Sequence, residues 1–550
     1  MTQAADLSAS SRRLVVAGTM LGLFVAASNQ TVVSTALPRI VAELHGLNLL
    51  SWIFTAYMLT STTVVPIAGK LSDMFGRKPF FIGGILLFML ASAAAGTSQS
   101  IEQLIALRAV QGVGGGMLMS SAFAIIADLF PPAERGRYQG LFTSTFALAS
   151  IIGPTVGGAL TDHLSWRAVF YMNLPFGLAA LAILWAKLPS LRRPAGKQPV
   201  DYAGVALLSA AIVCLLLALV WGGDAYAWSS LEIIGLLAAA ASLVVLFLRV
   251  ESRAAEPILP LHLFRNRVVA VGSLLTFVSG VVMTGVLTFM PMFLQGVMGA
   301  SATNSGLVLS PMMLGVVLAS NTAGHLVSRS GRYRTVIIVG AAVLLGGMFF
   351  LSRFGPGTGW LQAVAVMVVV GTGIGLALPL LNLAVQSAVQ RQHLGVATSS
   401  SQFFRQIGAT LGVAVFGTLV ATGIHANLDR NLPSEVKEAV PAQLIARLED
   451  ANVVLSPQGR SGLGREFAAL GPEGDELFAS SLATVKVSLS EALTNVFFVG
   501  FIMAAVAFGL AFLLPEQRLA STWSEAVAEA PPRTQGGAAE AARRPTEADI

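Results

Sequence analysis

The sequence predicts an all-α protein that crosses a membrane many times, and three observations support this fold class. The 550 residues are 55% hydrophobic and only 11% charged, whereas soluble globular domains carry about 25% charged residues. The chain divides into about fourteen apolar stretches, each close to the roughly 20 residues that a transmembrane helix needs. The basic residues stand in short groups between these stretches. These features exclude a water-soluble enzyme, a disordered scaffold and a typical nucleic-acid-binding protein.

The predicted spans define the organisation of the chain. Residues 1–13 include Arg12 and Arg13 just before the first apolar run, which is long and is followed by no small-residue cleavage site, so we expect an uncleaved span. Two segments fall outside the membrane: a polar loop at 425–490 and a tail at 515–550 that we expect to be disordered. The predicted spans are 14–37, 50–69, 80–99, 103–127, 141–162, 168–188, 203–222, 231–249, 268–294, 305–327, 335–353, 360–386, 402–424 and 493–514.

Loop charges predict the orientation of the chain. Cytoplasmic loops carry an excess of Lys and Arg, and here the basic residues concentrate in every second connection from span 2 onward. The opposite short connections hold little more than Arg39, Arg167 and Arg353. Both termini are therefore predicted to be cytoplasmic and the 425–490 loop to lie outside. Within that loop, residues 434–450 could form a short amphipathic helix on a solvated cap that holds no site.

An internal repeat relates the two halves of the chain. A shift of 255 residues superposes Gly69 on Gly324, Gly76 on Gly331, Arg77 on Arg332, Gly140 on Gly395, Gly153 on Gly408 and Gly157 on Gly412. Because these matches need no gap, chance overlap of glycines is a poor explanation. We expect two six-helix halves in parallel orientation, 14–188 and 268–514, joined by a linker at 189–267 that carries two inserted helices. Parallel halves with a site at their interface are a transporter architecture.

Several short sequences resemble motifs of one transporter family. GKLSDMFGRK at 69–78 resembles motif A of the major facilitator superfamily, LIALRAVQGVGGG at 104–116 resembles motif B, and the glycines around Pro154 resemble motif C. NQTVVSTALP at 29–38 and the stretches SWRAVFYMNLPFG and LHLFRNR resemble its fourteen-helix drug:proton antiporter branch. The resemblance covers nearly the whole chain.

This resemblance implies two six-helix bundles plus two inserted helices, alternating access, and export of small amphipathic substrates coupled to protons. It also implies a monomer in the plasma (inner) membrane, in contact with membrane lipids. One alternative is a lipid or metabolite transporter or flippase of the same fold, whose transport need not be coupled to protons. The other is a membrane-embedded enzyme or scaffold that has lost transport. No GxxxxGK[ST] sequence or paired metal ligands occur, so we expect no ATP-driven pump and no metal site. The low charge content and the resemblance to transporters lead us to expect no cofactor, nucleic-acid partner or enzyme activity.

Motif A concentrates charge in the connection after span 2. Gly69 and Gly76 permit a tight turn there, and Asp73 can pair with Arg77. The resemblance implies that Asp73, Arg77 and Asp128 form a charge cluster that holds the cytoplasmic gate shut. Asp73 could also cap the start of span 13, where the helix dipole favours an anion. A static ion pair in the loop is the alternative.

Motif C lies within span 5. Pro154 removes one backbone donor and bends the helix, while Gly153, Gly157 and Gly158 let another helix approach closely. We interpret the motif as a hinge or as helix packing alone, and the two interpretations are compatible.

Arg108 is the clearest charged residue within a predicted span, where an ionised side chain costs at least about 2.5–3.5 kcal/mol. A rise of about 1.5 Å per residue places it at a depth similar to that of Asn29 in span 1. The resemblance implies an aspartate proton carrier at position 29, tuned by Arg108, but asparagine cannot titrate. Four explanations are open: a carboxylate near a helix end such as Asp162, beside His163; a protonatable substrate; uncoupled transport; or an engineered replacement at position 29.

A substrate cavity is predicted from polar and aromatic residues at middle depth. With few charges and many Met, Phe and Ala neighbours, such a cavity suits neutral or cationic amphiphiles. The alternative is that these residues hydrogen-bond between helices. Besides Asn29, the candidates are Gln30, Ser34, Tyr57, Gln295, Asn321, Asn382 and Gln386.

Overall fold

The fold is helical throughout the part of the chain that the structure describes. The structure is a computed structural model and describes residues 8–44, 49–189, 200–223, 225–300, 302–449, 457–517 and 519. Within these ranges it contains 14 helices that are long and apolar enough to cross a membrane, and no β-strand. The predicted fold class, an all-α multi-pass membrane protein, is confirmed.

The long helices are numbered here as spans 1 to 14. Span 6 consists of two helical pieces that meet at Met172. The bounds are Ala9–Leu44, Leu50–Phe75, Arg77–Ala95, Ile101–Leu129, Pro132–His163, Trp166–Tyr171 with Asn173–Lys187, Tyr202–Trp221, Leu231–Glu251, Arg267–Gly296, Ala302–Ser330, Arg334–Leu351, Trp360–Ser387, Leu394–Asn431 and Gly474–Phe512.

Spans 13 and 14 extend well beyond their apolar parts. Span 13 begins at Leu394 and ends at Asn431, and span 14 begins at Gly474. A backbone helix satisfies its own hydrogen bonds, so polar residues can continue it, whereas the apolar pattern marks only the middle. Much of the segment predicted as a polar loop at 425–490 is therefore helical.

Short helices complete the 425–490 segment. They cover Ser434–Ala439, Ala442–Glu449 and Pro457–Ala468. The single helix predicted at 434–450 is thus two helices, which are separated at Val440–Pro441 because proline offers no backbone donor. These elements enclose a small hydrophobic cluster of Leu428, Leu432, Val436, Val440, Leu448, Leu463, Phe467 and Val485.

The start of the C-terminal tail packs against the connection between spans 10 and 11. The Tyr333 hydroxyl donates to the carbonyl oxygen of Pro515 at 3.1 Å. The backbone amide of Leu519 donates to the carbonyl oxygen of Gly331 at 3.1 Å. Burial raises the pKa of Tyr333 to about 12. The remainder of the predicted disordered tail, 520–550, lies outside the described residues.

Two helix pairs join the first half of the chain to the second through glycines. In the pair of spans 2 and 13, a Cβ on Gly395 would lie 2.7 Å from the carbonyl oxygen of Gly69. In the pair of spans 5 and 10, a Cβ on Gly324 would lie 2.5 Å from that of Gly136, and a Cβ on Gly140 would lie 2.6 Å from that of Ser320. The sequence repeat relates Gly69 to Gly324 and Gly140 to Gly395, so glycines at equivalent positions lie in both helix pairs, although Gly324 and Gly140 approach Gly136 and Ser320 and not each other.

The inserted spans 7 and 8 pack on each other and lie beside the contact between spans 2 and 13. Leu208, Ile212 and Phe247 belong to a hydrophobic cluster that also includes Leu59 of span 2 and Phe403 of span 13. The inserted helices therefore contact both halves of the chain at this helix pair.

Candidate functional site

Arg108 lies fully buried in span 4 among uncharged partners. Its Nη1 donates to Asn29 Oδ1 and, at 2.6 Å, to Gln111 Oε1, and its Nε donates to the carbonyl oxygen of Ile53 at 3.1 Å. The guanidinium carbon lies 4.5 Å from the ring centre of Tyr57, in cation–π contact. The rise per residue predicted similar depths in the membrane for Asn29 and Arg108, and the structure brings the two side chains together.

A chain of buried polar groups continues from Arg108 toward span 6. Gln111 Nε2 and Asn173 Nδ2 both donate to Ser92 Oγ, at 2.9 and 3.0 Å, and Ser92 in turn donates to the carbonyl oxygen of Phe170 at 3.0 Å. This network links spans 1, 3, 4 and 6. Sequence reasoning missed it because none of these residues is charged.

Two donors at the Arg108 contact have no acceptor. Asn29 Nδ2 and Arg108 Nη2 are buried and lack a hydrogen-bond partner among the described residues. A carboxylate at position 29 would replace one of these donors by an acceptor. It could accept two parallel hydrogen bonds from the guanidinium group. The hydrogen-bonding pattern around Asn29 therefore suits an acidic side chain better than an amide.

Motif A forms a buried charge cluster. Arg77 binds Asp73 through Nη2 and Asp128 through Nε, the latter at 2.9 Å, and its Nη1 donates to Ser72 Oγ at 2.6 Å. The side chains of Arg77 and Asp73 are only 3% and 4% exposed. The structure thus joins the three charged residues that the resemblance grouped.

The carboxylate of Asp73 also meets the start of span 13. It accepts hydrogen bonds from the backbone amides of Gly395 and Val396, at 3.1 and 2.9 Å. Free amides and the helix dipole make a helix N-terminus favourable for an anion. Gly69 permits this approach, since a Cβ there would lie 2.0 Å from Ser399 Oγ.

The equivalent connection of the second half forms no such cluster among the described residues. Ser328 stands where the first half has Asp73, and its hydroxyl donates to the carbonyl oxygen of His325. The Arg332 side chain is 73% exposed and lies 3.8 Å from Glu516. The buried charge cluster is thus specific to motif A.

The motif C glycines differ in what they touch. A Cβ on Gly153 would lie 2.0 Å from Thr31 Oγ1, and one on Gly157 would lie 2.4 Å from Thr35 Oγ1. Nothing lies within 4 Å of a Cβ on Gly158. The expectation that all three admit a close helix is therefore wrong for Gly158, because a Cβ there would face open space.

A small central cavity lies between helices of both halves. Its volume is about 60 Å³, well below the roughly 300–1,000 Å³ of a pocket for a drug-sized ligand. A substrate of that size therefore requires the cavity to widen. The described residues that line it are Phe123, Thr143, Phe146, Ala147, Ser150, Met283, Met312, Met313, Val316, Ile374, Leu378, Asn382, Gln402 and Arg405.

Arg405 is the charged residue of this lining, and sequence reasoning missed it. Its Nε donates to Gln402 Oε1 at 2.9 Å, and its guanidinium carbon lies 5.9 Å from the ring centre of Phe146. The predicted span 13 began at 402, which put Arg405 at a helix end. The helix starts at Leu394, so Arg405 lies roughly 16 Å along it. The signal that could have located it is the run of small polar residues at 398–401, which continues the helix.

Of the predicted cavity residues, Asn382 lines the cavity. Its Oδ1 accepts from Ser401 Oγ at 2.9 Å. Gln386 instead joins three helices, accepting from Gln139 at 2.7 Å and donating to Thr398 at 3.0 Å.

The other predicted cavity residues lie outside the cavity lining. Asn321 donates to Ser144 Oγ at 3.0 Å between spans 10 and 5, and Tyr57 lies under Arg108. Gln295 is next to the last residue of span 9, so its predicted middle depth is wrong because that helix ends at Gly296. Gln30 and Ser34 of span 1 are exposed. Asp162, which was predicted as a coupling candidate near the end of span 5, is also exposed.

The fold and these motifs define a helical membrane transporter. The sequence profile of the Major Facilitator Superfamily matches residues 19–413, and the chain belongs to that family. It is therefore a transporter and not an enzyme.

Relatives with similar sequences carry multidrug names. The Bacillus subtilis multidrug transporter protein MdtP is 39% identical over 523 residues, which are 94% of this chain and 95% of the relative. Multidrug resistance protein 3 of the same species is 37% identical over 453 residues, 82% of this chain and 88% of the relative.

Solved structures show the same fold at low sequence identity. The human organic anion transporter MFSD10 has a TM-score of 0.57 at 15% identity, covering 90% of this chain and 99% of its own. The proton:xylose symporter XylE has a TM-score of 0.56 at 13% identity, covering 93% and 97%.

Proposed function

We propose that this chain is a secondary active exporter of amphipathic small molecules that works by alternating access, as a monomer in the plasma membrane with both termini in the cytoplasm. The central cavity carries the proposal, because both halves of the chain contribute to its lining. Glycine contacts join the halves at spans 2 and 13 and at spans 5 and 10. Rocking of two repeats about a site at their interface is the expected mode of transport.

The motif A cluster would act as a latch in this cycle. Asp73 holds Arg77 and the start of span 13 at the same time, so it connects the two halves at one end of the molecule. Hydrogen bonds to a charged group, such as those from the span 13 amides to Asp73, contribute about 1.5–3 kcal/mol. We therefore expect the latch to stabilise the state that is closed at this end, which the loop charges predict to be cytoplasmic.

The lining of the cavity favours neutral amphiphiles and those with an acidic or hydrogen-bond-accepting group. Met283, Met312 and Met313 can adapt to apolar shapes. Arg405 offers guanidinium donors and repels cations. This changes the sequence-based expectation of neutral or cationic substrates.

Proton coupling is part of the proposal, but it requires a titratable group outside the Arg108 contact. The hydrogen-bond partners of Arg108 in the structure are an asparagine, a glutamine and a backbone carbonyl. None of these groups exchanges a proton in the physiological range.

Reconstituted protein tests the function. We expect thermal stabilisation by a subset of neutral and acidic amphiphiles, and counter-gradient movement of these compounds in liposomes after a pH jump. Collapse of the pH gradient by nigericin should abolish this movement. Phe146→Ala in the cavity should weaken binding, whereas Phe498→Ala, at a side chain that is 50% exposed on span 14, should not.

Other outcomes separate the alternatives. Movement that depends only on the substrate gradient indicates uncoupled transport. Movement of phospholipid analogues alone favours the flippase. Absence of both binding and movement contradicts the exporter.

A further inference from the structure

Two carboxyl groups meet where the inserted helices begin and end. Asp201 caps span 7, and its Oδ1 accepts from the backbone amide of Gly204 at 2.8 Å. Glu251 is the last residue of span 8, and its Oε1 accepts from the backbone amide of Leu259. Glu251 is only 3% exposed. Each carboxyl group thus has one oxygen committed to a backbone donor.

The second oxygens of both groups point into the same small space. Asp201 Oδ2 and Glu251 Oε2 are buried and have no donor among the described residues. A Cβ on Gly204 would lie 2.3 Å from Asp201 Oδ2 and 2.8 Å from Glu251 Oε2. Both oxygens therefore border the space that a side chain at Gly204 would occupy. Buried acceptors without a donor are costly.

A proton shared by the two carboxyl groups gives both buried oxygens a hydrogen-bond partner. Two carboxylates in contact cannot both ionise cheaply, and such a pair holds one proton between them. With that proton, one oxygen becomes a donor to the other and neither is left unsatisfied.

The surrounding charges connect this pair to motif A. The charged groups that act on Glu251 are Asp201 of span 7 and Lys70 of span 2. Lys70 itself binds Glu256, in the connection after span 8, at 2.8 Å. From span 13, the apolar side chains of Phe403 and Ile407 pack against the hydrophobic cluster that spans 7 and 8 share.

We propose that Asp201 and Glu251 form a proton-binding site in the inserted helices, and that Lys70 and Glu256 transmit its occupancy to motif A. Loss of the proton leaves two adjacent negative charges, which draw Lys70 from Glu256 and separate the ends of spans 7 and 8. Lys70 follows Gly69, the residue at the close contact with span 13. The proton site stands on its own geometry, whereas its role in the cycle rests on the proposed exporter function.

Infrared difference spectroscopy of the purified protein tests the proton site directly. We expect the carbonyl band of a protonated carboxylic acid at neutral pH, where ordinary Asp and Glu, with pKa values of about 4, are ionised. We expect this band to disappear as the pH rises. Glu251→Gln and Asp201→Asn should each remove the band. Glu491→Gln should retain it, since Glu491 is 41% exposed and pairs with Arg430.

The titration of the unmodified protein keeps the test valid if a variant fails to fold. Absence of a protonated carboxyl at neutral pH, or a band that both folded variants retain, overturns the proton site. If the band disappears in Glu251→Gln while the pH profile of efflux stays as in the unmodified chain, the link to motif A is overturned. If the unmodified protein moves no substrate, the exporter proposal fails and the infrared titration still decides on the proton site.

Discussion

The Asp73 carboxylate accepts a hydrogen bond from the backbone amide of Val396 at 2.9 Å, although the two residues belong to opposite halves of the chain. The same carboxylate binds Arg77. A single side chain therefore joins the motif A turn to the N-terminus of span 13. Any movement that separates spans 2 and 13 at this end must break the bond to Val396, whereas the bond to Arg77 lies within the first half and can persist.

Asp73→Asn should weaken the closed state. An amide retains at most one acceptor for the two span 13 amides, and hydrogen bonds to a charged group contribute about 1.5–3 kcal/mol. We expect efflux to fall at least about tenfold, since 1.4 kcal/mol already corresponds to that factor. Spin-label distances between spans 2 and 13 should lengthen.

Ser328→Asn is the matched control, because the repeat places Ser328 at the position equivalent to Asp73 and its side chain is only half-buried. It should leave both readouts unchanged. Normal efflux and unchanged distances in Asp73→Asn would contradict the latch.

Asn29→Asp should stabilise the protein. The new carboxylate accepts from Arg108, whose Nη2 has no acceptor among the described residues, and hydrogen bonds to charged groups contribute about 1.5–3 kcal/mol. We expect a higher melting temperature and a greater dependence of efflux on the pH gradient. Thermal unfolding and proteoliposome efflux measure the two effects.

Asn173→Asp provides the contrast. It removes the amide that donates to Ser92 and introduces an uncompensated buried charge, so it should destabilise the protein. A lower melting temperature for Asn29→Asp than for the unmodified chain would show that Arg108 does not need an acid.

Arg405→Gln should change which compounds bind. Loss of the cavity's guanidinium removes a charge-assisted partner, so acidic amphiphiles should bind at least about tenfold more weakly, equal to 1.4 kcal/mol, while neutral ones change little. Binding is measured by ligand-induced shifts in melting temperature across a series that differs only in charge.

Arg353→Gln is its control, because Arg353 also lies over a phenylalanine ring, at 5.2 Å from Phe349, but is exposed outside the cavity. If Arg405→Gln weakens acidic and neutral ligands equally, Arg405 contributes to cavity shape and not to charge selection.

The predictability of the fold and of the site differs for a physical reason. Long apolar runs must become helices in a bilayer, so the order and number of spans follow from composition. Helix ends depend instead on polar residues that can continue or leave a helix, which is why the starts of spans 13 and 14 were misplaced. Because the predicted start of span 13 was too late in the sequence, Arg405 was placed at a helix end and not within the helix.

Side-chain direction was the second source of error. Gly157 and Gly158 are neighbours in sequence, but only Gly157 faces span 1. Gln295 was given middle depth although it lies one residue beyond the predicted span 9 and one residue before the observed helix end at Gly296. In contrast, the Arg108–Asn29 contact could be anticipated, because depth alone restricts what a buried cation can reach.

Gly157→Ala and Gly158→Ala should have opposite effects on stability. A Cβ at Gly157 would lie 2.4 Å from Thr35 Oγ1 and 2.8 Å from the carbonyl oxygen of Val32, so spans 1 and 5 must separate. Such overpacking costs typically about 1–3 kcal/mol. At Gly158 nothing lies within 4 Å, and replacing glycine by alanine inside a helix gains about 0.5–1 kcal/mol.

We expect Gly157→Ala to lower the melting temperature and reduce efflux, and Gly158→Ala to raise the melting temperature slightly with efflux retained. Thr35→Ala removes only the Oγ1 contact of the added methyl group in Gly157→Ala, because the carbonyl oxygen of Val32 stays 2.8 Å from it. If motif C serves packing alone, efflux per folded molecule in the double variant should recover in step with its partial gain in stability. If it serves as a hinge, the double variant should regain stability without regaining efflux, because alanine still restricts the backbone. Equal behaviour of the two single variants would contradict the close contact between spans 1 and 5.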